Sequence, residues 1–238
     1  MSDLLQLPEI DVRPRPSVTD QVYETLLAEI VDLNLPPGSK ISEVEVAGQM
    51  GVSRQPVRDA FFRLSKQGFL TIRPQRATTI SLINPTAVMQ ARFVRAAIEA
   101  EMVRIACERL TEAGMQALEA LLEAQRAAVE AGDRARFHLL DDAFHREICI
   151  RSGFGFAWAT IHEHKMQTDR VRLLSLAFAA PDAYGDHLKV MEAIRARDPQ
   201  PAMSAMRDHL SRIKTQIIRI RADNLPFFVP EELDPSTW

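Results

Sequence analysis

The stretch LPPGSKISEVEVAGQMGVSRQPVRDAFFRLSKQGFLTI, residues 35–72, decides the fold of the first third of the chain. After its Pro-Gly turn, Ser42 is followed three positions later by Glu45, a pattern typical of a capping box that starts a helix. Gly51 ends this short helix, and Ser53 caps the next one, in whose first turn a proline is tolerated. We therefore predict two consecutive helices joined by a tight turn.

The flanking residues complete the plan of a winged helix-turn-helix. From Ser17 onward, apolar residues recur at helical spacing, which predicts an earlier helix. Residues 69–72 and 78–82 are rich in β-branched side chains and are separated by a turn, which predicts a β-hairpin. We assign the winged helix-turn-helix to residues 17–83 and expect residues 1–16 to form a flexible arm.

Basic residues concentrate in this region although the whole chain has a formal net charge of −3. Residues 53–76 contain six Lys or Arg and one acidic residue, whereas residues 1–52 contain three Lys or Arg and nine acidic residues. A compact basic block on an acidic chain indicates a local surface for double-stranded DNA, although a solvated helix face without a partner would give the same count.

The third helix would carry the residues that contact DNA bases. Arg54 and Arg58 are four positions apart, so they share one face of this helix. In helix-turn-helix proteins the first turns of the recognition helix enter the major groove, where arginine pairs with guanine. Arginines of the hairpin would lie near phosphates. The candidate DNA-binding residues are Ser53, Arg54, Gln55, Arg58, Arg73 and Arg76.

Residues 19–82 resemble the DNA-binding domain of the GntR family of transcription regulators. The resemblance depends on the Pro-Gly turn, on G-V-S-R-x-P-V-R-x-A at residues 51–60 and on the L-x-x-x-G-F-L that follows. It implies that Arg54 and Arg58 are the base-reading arginines.

From Asn84-Pro85 onward the pattern is almost entirely helical, without the alternation of a strand. We predict a mainly α protein in which an all-α antiparallel helical bundle over residues 84–223 follows the winged helix-turn-helix, with a C-terminal tail over 224–238. Breaks in the pattern place the helices of this bundle near 85–109, 112–131, 133–152, 156–179, 183–197 and 200–223.

The cysteines and the apolar runs indicate where the protein works. Cys107 and Cys149 lie far apart and form no CxxC pair, so the reducing cytoplasm is the expected location. Residues 1–16 carry acids and prolines rather than an apolar core, so we expect no signal peptide. The longest apolar run is too short to cross a bilayer, so no membrane partner is expected.

One acidic residue and three histidines are spaced as a possible metal site. Asp141 and His145 are four positions apart on a predicted helix, so they project from one face. His187 and His209 each lie 11 residues from the break at Asp198. An antiparallel helical hairpin would bring these two histidines to the same level, whereas a continuous helix would separate them by about 33 Å.

Asp and His ligands suit a first-row divalent metal, with Zn preferred and Ni or Mn as alternatives. Such a site leaves coordination positions open for water or a carboxylate. Scattered structural histidines would give the same count, Asp142 could replace Asp141, and His138 could lie nearby.

Residues 85–223 resemble the FCD domain, the helical effector domain of the FadR-type branch of the GntR family. The metal motif of that domain is an Asp, a His four positions later and two His near the last helices. The resemblance implies the ligand set Asp141, His145, His187 and His209. It also implies a small carboxylate effector, because the acyl-CoA-binding members are not expected to use this metal set.

An arginine four positions before a glutamate lies in the effector cavity of that family, and Arg95 with Glu99 fits this pattern. An inward-facing arginine would bind a carboxylate through two hydrogen bonds. Arg92 lies on the same predicted helix as Arg95, and Arg170 and Arg172 on a later helix could face the same cavity. The alternative is a surface salt bridge between Arg95 and Glu99.

These observations predict a transcription regulator, expected to act as a repressor, whose operator affinity is controlled by a small organic or sugar acid bound at a metal centre. A palindromic operator would require two recognition helices, so we expect a homodimer. A metalloenzyme with a nucleic-acid-binding appendage is the first alternative, although no HExxH, nucleophile motif or paired acid/base carboxylates are present. A DNA-binding structural protein that uses metal only for stability is the second.

Overall fold

The computed structural model describes residues 16–73 and 75–230, without the side chains of residues 176–178. Most of the predicted arm and the end of the predicted tail lie outside these ranges. The N-terminal unit consists of α1 (Val18–Val31), β1 (Lys40–Ile41), α2 (Glu43–Met50), α3 (Arg54–Lys66), β2 (Leu70–Thr71) and β3 (Thr78–Ile80). The helical unit consists of α4 (Pro85–Arg109), α5 (Glu112–Glu130), α6 (Arg134–Arg151), α7 (Ala157–Arg195), α8 (Pro199–Ser211) and α9 (Ile213–Asp223).

The N-terminal unit has the predicted helices and hairpin, together with a third strand. Strand β3 lies in the centre of an antiparallel sheet, with β1 on one side and β2 on the other. Strand β1 is only two residues long, too short for the alternation that identifies a strand in sequence. The predicted apolar face of α3 is buried, with Val57, Phe61 and Leu64 at most 1% exposed.

The predicted N-terminal caps are present at two of these three helices. Ser17 and Asp20 form a reciprocal capping box on α1, and Ser42 accepts the Glu45 N–H on α2. Ser53 occupies the N-cap of α3 but its side chain accepts no capping hydrogen bond. The third residue of α3 is a proline, which has no N–H to donate to this hydroxyl.

Helix α7 differs from the sequence prediction, which is wrong here. The sequence predicts two helices, 156–179 and 183–197, whereas the structure has one helix that runs through Pro181. A proline removes one N–H from the helix and opposes the carbonyl one turn earlier. Both flanks of α7 are anchored by packing, with Val171 and Val190 fully buried, so tertiary contacts outweigh this local cost.

The last predicted helix, 200–223, is divided into α8 and α9 at Arg212. The N–H of Arg212 bonds the carbonyl of His209, three residues back, which is the tighter bonding of a 3-10 turn. No glycine or proline stands at this point, so composition gives no signal for the division.

The connection between the two units is short and firmly bonded. The Asn84 side chain caps α4 by accepting the N–H groups of Thr86 and Ala87. Ile83 pairs in parallel with Phe228, so the first residues of the predicted tail fold back onto the connection. No helix among the described residues combines the length and the apolar character that crossing a membrane requires.

Candidate functional site

The N-terminal end of α3 presents an exposed basic face. The side chains of Arg54 and Arg58 are 58% and 57% exposed, and each has an Nη2 within 3.5 Å of the same Glu43 carboxylate on α2. Gln55 is exposed and donates to Asp59, one turn further along. The two arginines that the sequence predicts to read bases therefore lie side by side in solvent.

The turn between β2 and β3 adds a second basic surface. Arg73 and Arg76 are exposed there, and both line a groove that also includes Lys40 and Lys66. The sequence analysis missed these two lysines. Lys66 belongs to the basic block of residues 53–76, which was the available signal, whereas Lys40 reaches the groove only through the pairing of β1 with β3.

The structure brings together the four side chains of the candidate metal site. Each can offer one ligand atom such that all four atoms lie within 4.8 Å of one another, and all four residues are at most 8% exposed. Helix α6 supplies two of them, while α7 and α8 supply one each. We call this set the four-residue cluster: Asp141, His145, His187 and His209.

The turn at Asp198 produces this convergence. Helices α7 and α8 fold back on each other there, and the Nε2 atoms of His187 and His209 approach to 3.3 Å. Two imidazole nitrogens at this distance must share a proton or direct lone pairs at a common partner.

A neighbour outside the cluster fixes the tautomer of His187. The Gln125 side-chain N–H donates to the Leu140 carbonyl at 3.0 Å, which leaves its Oε1 as an acceptor 2.8 Å from His187 Nδ1. His187 therefore carries its proton on Nδ1 and directs the Nε2 lone pair into the cluster.

A carboxylate lies beside the Nδ1 atom of each of the other two histidines. Glu99 contacts His145 Nδ1, and Asp186 lies 3.8 Å from His209 Nδ1. A carboxylate beside Nδ1 favours a proton on that nitrogen, so Nε2 is free to act as a ligand. The sequence analysis assigned Glu99 to the effector and missed Asp186 and Gln125.

The cluster fits a divalent ion in its donor types and in its unsatisfied atoms. Asp141 Oδ1 and His145 Nε2 are buried and have no hydrogen-bond partner among the described residues. Burial alone would raise the pKa of Asp141, but Arg172 and the imidazoles hold it well below its ordinary value. Burial lowers the pKa values of His187 and His209, which favours the neutral form that metals bind.

A second cluster of possible metal ligands lies nearby, but a lysine already pairs with its carboxylates. His138, Asp142 and Asp169 also lie close together, but the Lys165 ammonium is buried against both carboxylates, 2.7 Å from Asp142. A fixed cation already neutralises this group. Asp142 therefore lies outside the four-residue cluster, and it is Asp141 that faces the histidines.

A small cationic cavity adjoins the cluster through His209 and Arg172. Its volume is about 40 Å³, space for about three water molecules. Nitrogens of Arg92, Arg95 and Arg172 are buried without a hydrogen-bond partner among the described residues. Buried guanidinium groups with unused donors are suited to bind an anion.

The three residues predicted to bind an effector have different surroundings. Arg95 lines the cavity, donates to Glu99 at 2.7 Å and reaches Thr168. This pair is 3% exposed on each side, so it is a buried pair rather than a surface salt bridge. Arg172 lines the cavity and lies 2.6 Å from Asp141, whereas Glu99 lies between Arg95 and His145.

Both parts of the chain match known families. The FCD domain family matches residues 90–212. The gntR family of bacterial regulatory proteins matches residues 18–80. These matches fall on the helical unit and on the N-terminal unit.

Relatives match along nearly the whole chain. The HTH-type transcriptional repressor RspR of Escherichia coli strain K12 is 36% identical over 225 residues, 94% of this chain and 99% of RspR. The probable D-xylose utilization operon transcriptional repressor of Paenarthrobacter nicotinovorans is 28% identical over 201 residues, 83% of this chain and 87% of that protein.

The fold also matches solved structures. The E. coli McbR/YncC structure aligns with a TM-score of 0.69 at 22% identity, covering 87% of this chain and 99% of that one. At this identity the likeness supports the fold alone.

Proposed function

The chain belongs to the GntR family of bacterial transcription regulators and carries an FCD domain, and we propose that a small carboxylate bound at a metal ion in this domain controls its affinity for DNA. The family establishes a DNA-binding regulator rather than an enzyme.

The basic face of the N-terminal unit supports contact with DNA through named residues. Arg54, Gln55 and Arg58 would enter the major groove, and the wing arginines would contact phosphates. Lys40 and Lys66 would extend the phosphate contacts along the groove beside the wing. Ser53, whose hydroxyl makes no capping bond, is free to donate to a phosphate.

The four-residue cluster would hold the ion, with zinc preferred and nickel or manganese as alternatives. A bound ion would supply a Lewis-acidic centre with positions open to an oxygen ligand. Gln125, Glu99 and Asp186 would orient the imidazoles from outside.

The cavity supports a small anion as the ligand. Arg95 and Arg172 would bind its carboxylate on the side away from the histidines, with Arg92 at the cavity wall. At about 40 Å³ the cavity suits an acid of a few heavy atoms, and a sugar acid would require it to widen.

Regulation would follow from different affinities of the ligand for two arrangements of a homodimer. Two recognition helices on symmetric half-sites must keep a fixed separation, so a change in the helical unit alters operator affinity. RspR is named a transcriptional repressor, which favours repression as the mode of action here.

The main support for this proposal is that Arg92, Arg95 and Arg172, which line the cavity beside the four-residue cluster, each have a buried guanidinium nitrogen without a hydrogen-bond partner among the described residues. The test measures affinity for a duplex selected from random DNA, with Zn²⁺ present, across a panel of two- to six-carbon carboxylic acids. We expect at least one acid to change the affinity of the wild type.

Arg95→Ala should abolish this response and leave affinity without acid unchanged, because Arg95 is buried on α4 in the helical unit and is not part of the DNA-binding face. Arg126→Ala, an exposed arginine of α5, is the matched control and should respond as the wild type does. An affinity that ignores every acid would favour a purely stabilising metal, and turnover of an acid would favour an enzyme.

A further inference from the structure

Helix α7 faces the candidate effector site with one of its sides. Arg172 lies 2.6 Å from Asp141, Lys165 lies 2.7 Å from Asp142, and Asp169 contacts both cations. The three residues of α7 are three, four and seven positions apart, so they share one side of the helix. A displacement of the Asp141 carboxylate would therefore act directly on α7 through Arg172.

The opposite side of the same two turns holds the N-terminal unit. Arg170 Nη2 donates to the Ser81 carbonyl at 2.6 Å, immediately after β3. Gln167 Nε2 donates to the Gln67 carbonyl, also at 2.6 Å, at the C-terminal cap of α3. Met166 packs into the hydrophobic core of the N-terminal unit beside them.

Arg170 is an unusual residue to bury. It is 2% exposed and no carboxylate forms an ion pair with it among the described residues, so burial lowers its pKa to about 10. It stays charged at neutral pH and donates to a backbone carbonyl. A buried cation without an ionic partner opposes stability, so packing alone does not account for an arginine here.

We infer that Arg170 and Gln167 are positioning residues through which the effector site sets the orientation of the recognition helix and the wing. Both hydrogen bonds end on backbone carbonyls, so a displacement of α7 moves the backbone of α3 and β3 rather than one side chain. Arg170 and Arg172 are two residues apart on one rigid helix, so the two sites cannot move independently. The inference rests on the proposed function of the four-residue cluster.

The experiment uses the full chain and Zn²⁺ alone as the probe, with amide hydrogen exchange as the readout. The variants are Arg170→Met with Gln167→Leu, and Arg170→Lys, which keeps a charged donor. Arg195→Gln, an exposed position near the end of the same helix, is the control. Thermal unfolding of each variant would show that all remain folded.

In the wild type, Zn²⁺ should slow exchange by about tenfold or more around residues 141–148 and also change exchange in residues 62–83. In the double variant the first effect should persist and the second should vanish, while Arg170→Lys should restore part of it. A change in residues 62–83 that survives in the double variant, or one absent from the wild type, would overturn the inference. No protection of residues 141–148 in the wild type would overturn the proposed metal site, and this inference with it.

Discussion

At the scale of single residues, the proposed metal site would depend on side chains that do not touch the ion. Gln125, Glu99 and Asp186 each lie beside the Nδ1 atom of one histidine. They leave three Nε2 atoms free to converge beside a buried carboxylate. Removing such a neighbour typically weakens metal binding without removing a ligand.

Gln125→Leu should lower zinc affinity by about 10- to 100-fold, because His187 loses the acceptor that fixes its tautomer. Competition with a chromophoric chelator measures this affinity. Gln116→Leu, at an exposed position of the same helix, is the control and should bind zinc as the wild type does. Equal affinity in both variants would remove Gln125 from the site.

Arg58→Ala should weaken specific DNA binding by about 1–3 kcal/mol, because a base-reading guanidinium is lost. Fluorescence anisotropy with a selected duplex measures the change. Arg126→Ala removes an exposed arginine from the helical unit and should have little effect. Unchanged affinity for Arg58→Ala would exclude its reading role.

At the scale of elements, local signals predicted helices wherever caps and apolar spacing agreed. Helices α4, α5 and α6 begin and end within a residue of the predicted limits, since caps and glycines mark them. The failures are β1, which exists only through pairing with β3, the continuity of α7 through Pro181, and the division of the last helix at Arg212. The first two depend on contacts between segments that are distant in sequence, and the third has no signal in composition.

The candidate site likewise contains some residues that the sequence predicted and others that it did not. The four-residue spacing of Asp141 and His145, and the equal distances of His187 and His209 from the turn at Asp198, predicted a convergence that the geometry reproduces. Gln125 and Asp186 gave no such signal. Gln125 reaches His187 only because α5 packs beside α6 and α7, and Asp186 of α7 lies near His209 only because α8 folds back on α7.

Pro181→Ala should raise the free energy of unfolding by about 1–2 kcal/mol, because it restores a helical hydrogen bond in α7 at an exposed position. Chemical denaturation measures the change. If Pro181 instead ended a helix as the sequence predicts, the substitution would have little effect or would destabilise the chain.

At the scale of the whole molecule, the ion would tie three helices of the helical unit together. Chelation should therefore lower the unfolding temperature by about 5–10 °C, and added Zn²⁺ should restore it. His187→Ala combined with His209→Ala provides the control, because its unfolding temperature should not respond to the chelator. A response of equal size in that variant would mean that the stabilising ion binds elsewhere.

Helix α7 connects the two units of the molecule. Within two turns it contacts Asp141 beside the proposed effector site, the end of α3 and the residue after β3. A regulator needs such a path, because a ligand changes DNA affinity only through its different affinities for two arrangements of the whole molecule.

Anomalous X-ray scattering from crystals of the protein as purified, collected on both sides of the zinc absorption edge, tests the central claim most directly. The predicted result is one peak at bonding distance from Asp141 and from the Nε2 atoms of His145, His187 and His209, with extra density on the side of Arg95 and Arg172. Ordered side chains at these positions with no peak among them, at the zinc edge or at the nickel and manganese edges, would contradict the account.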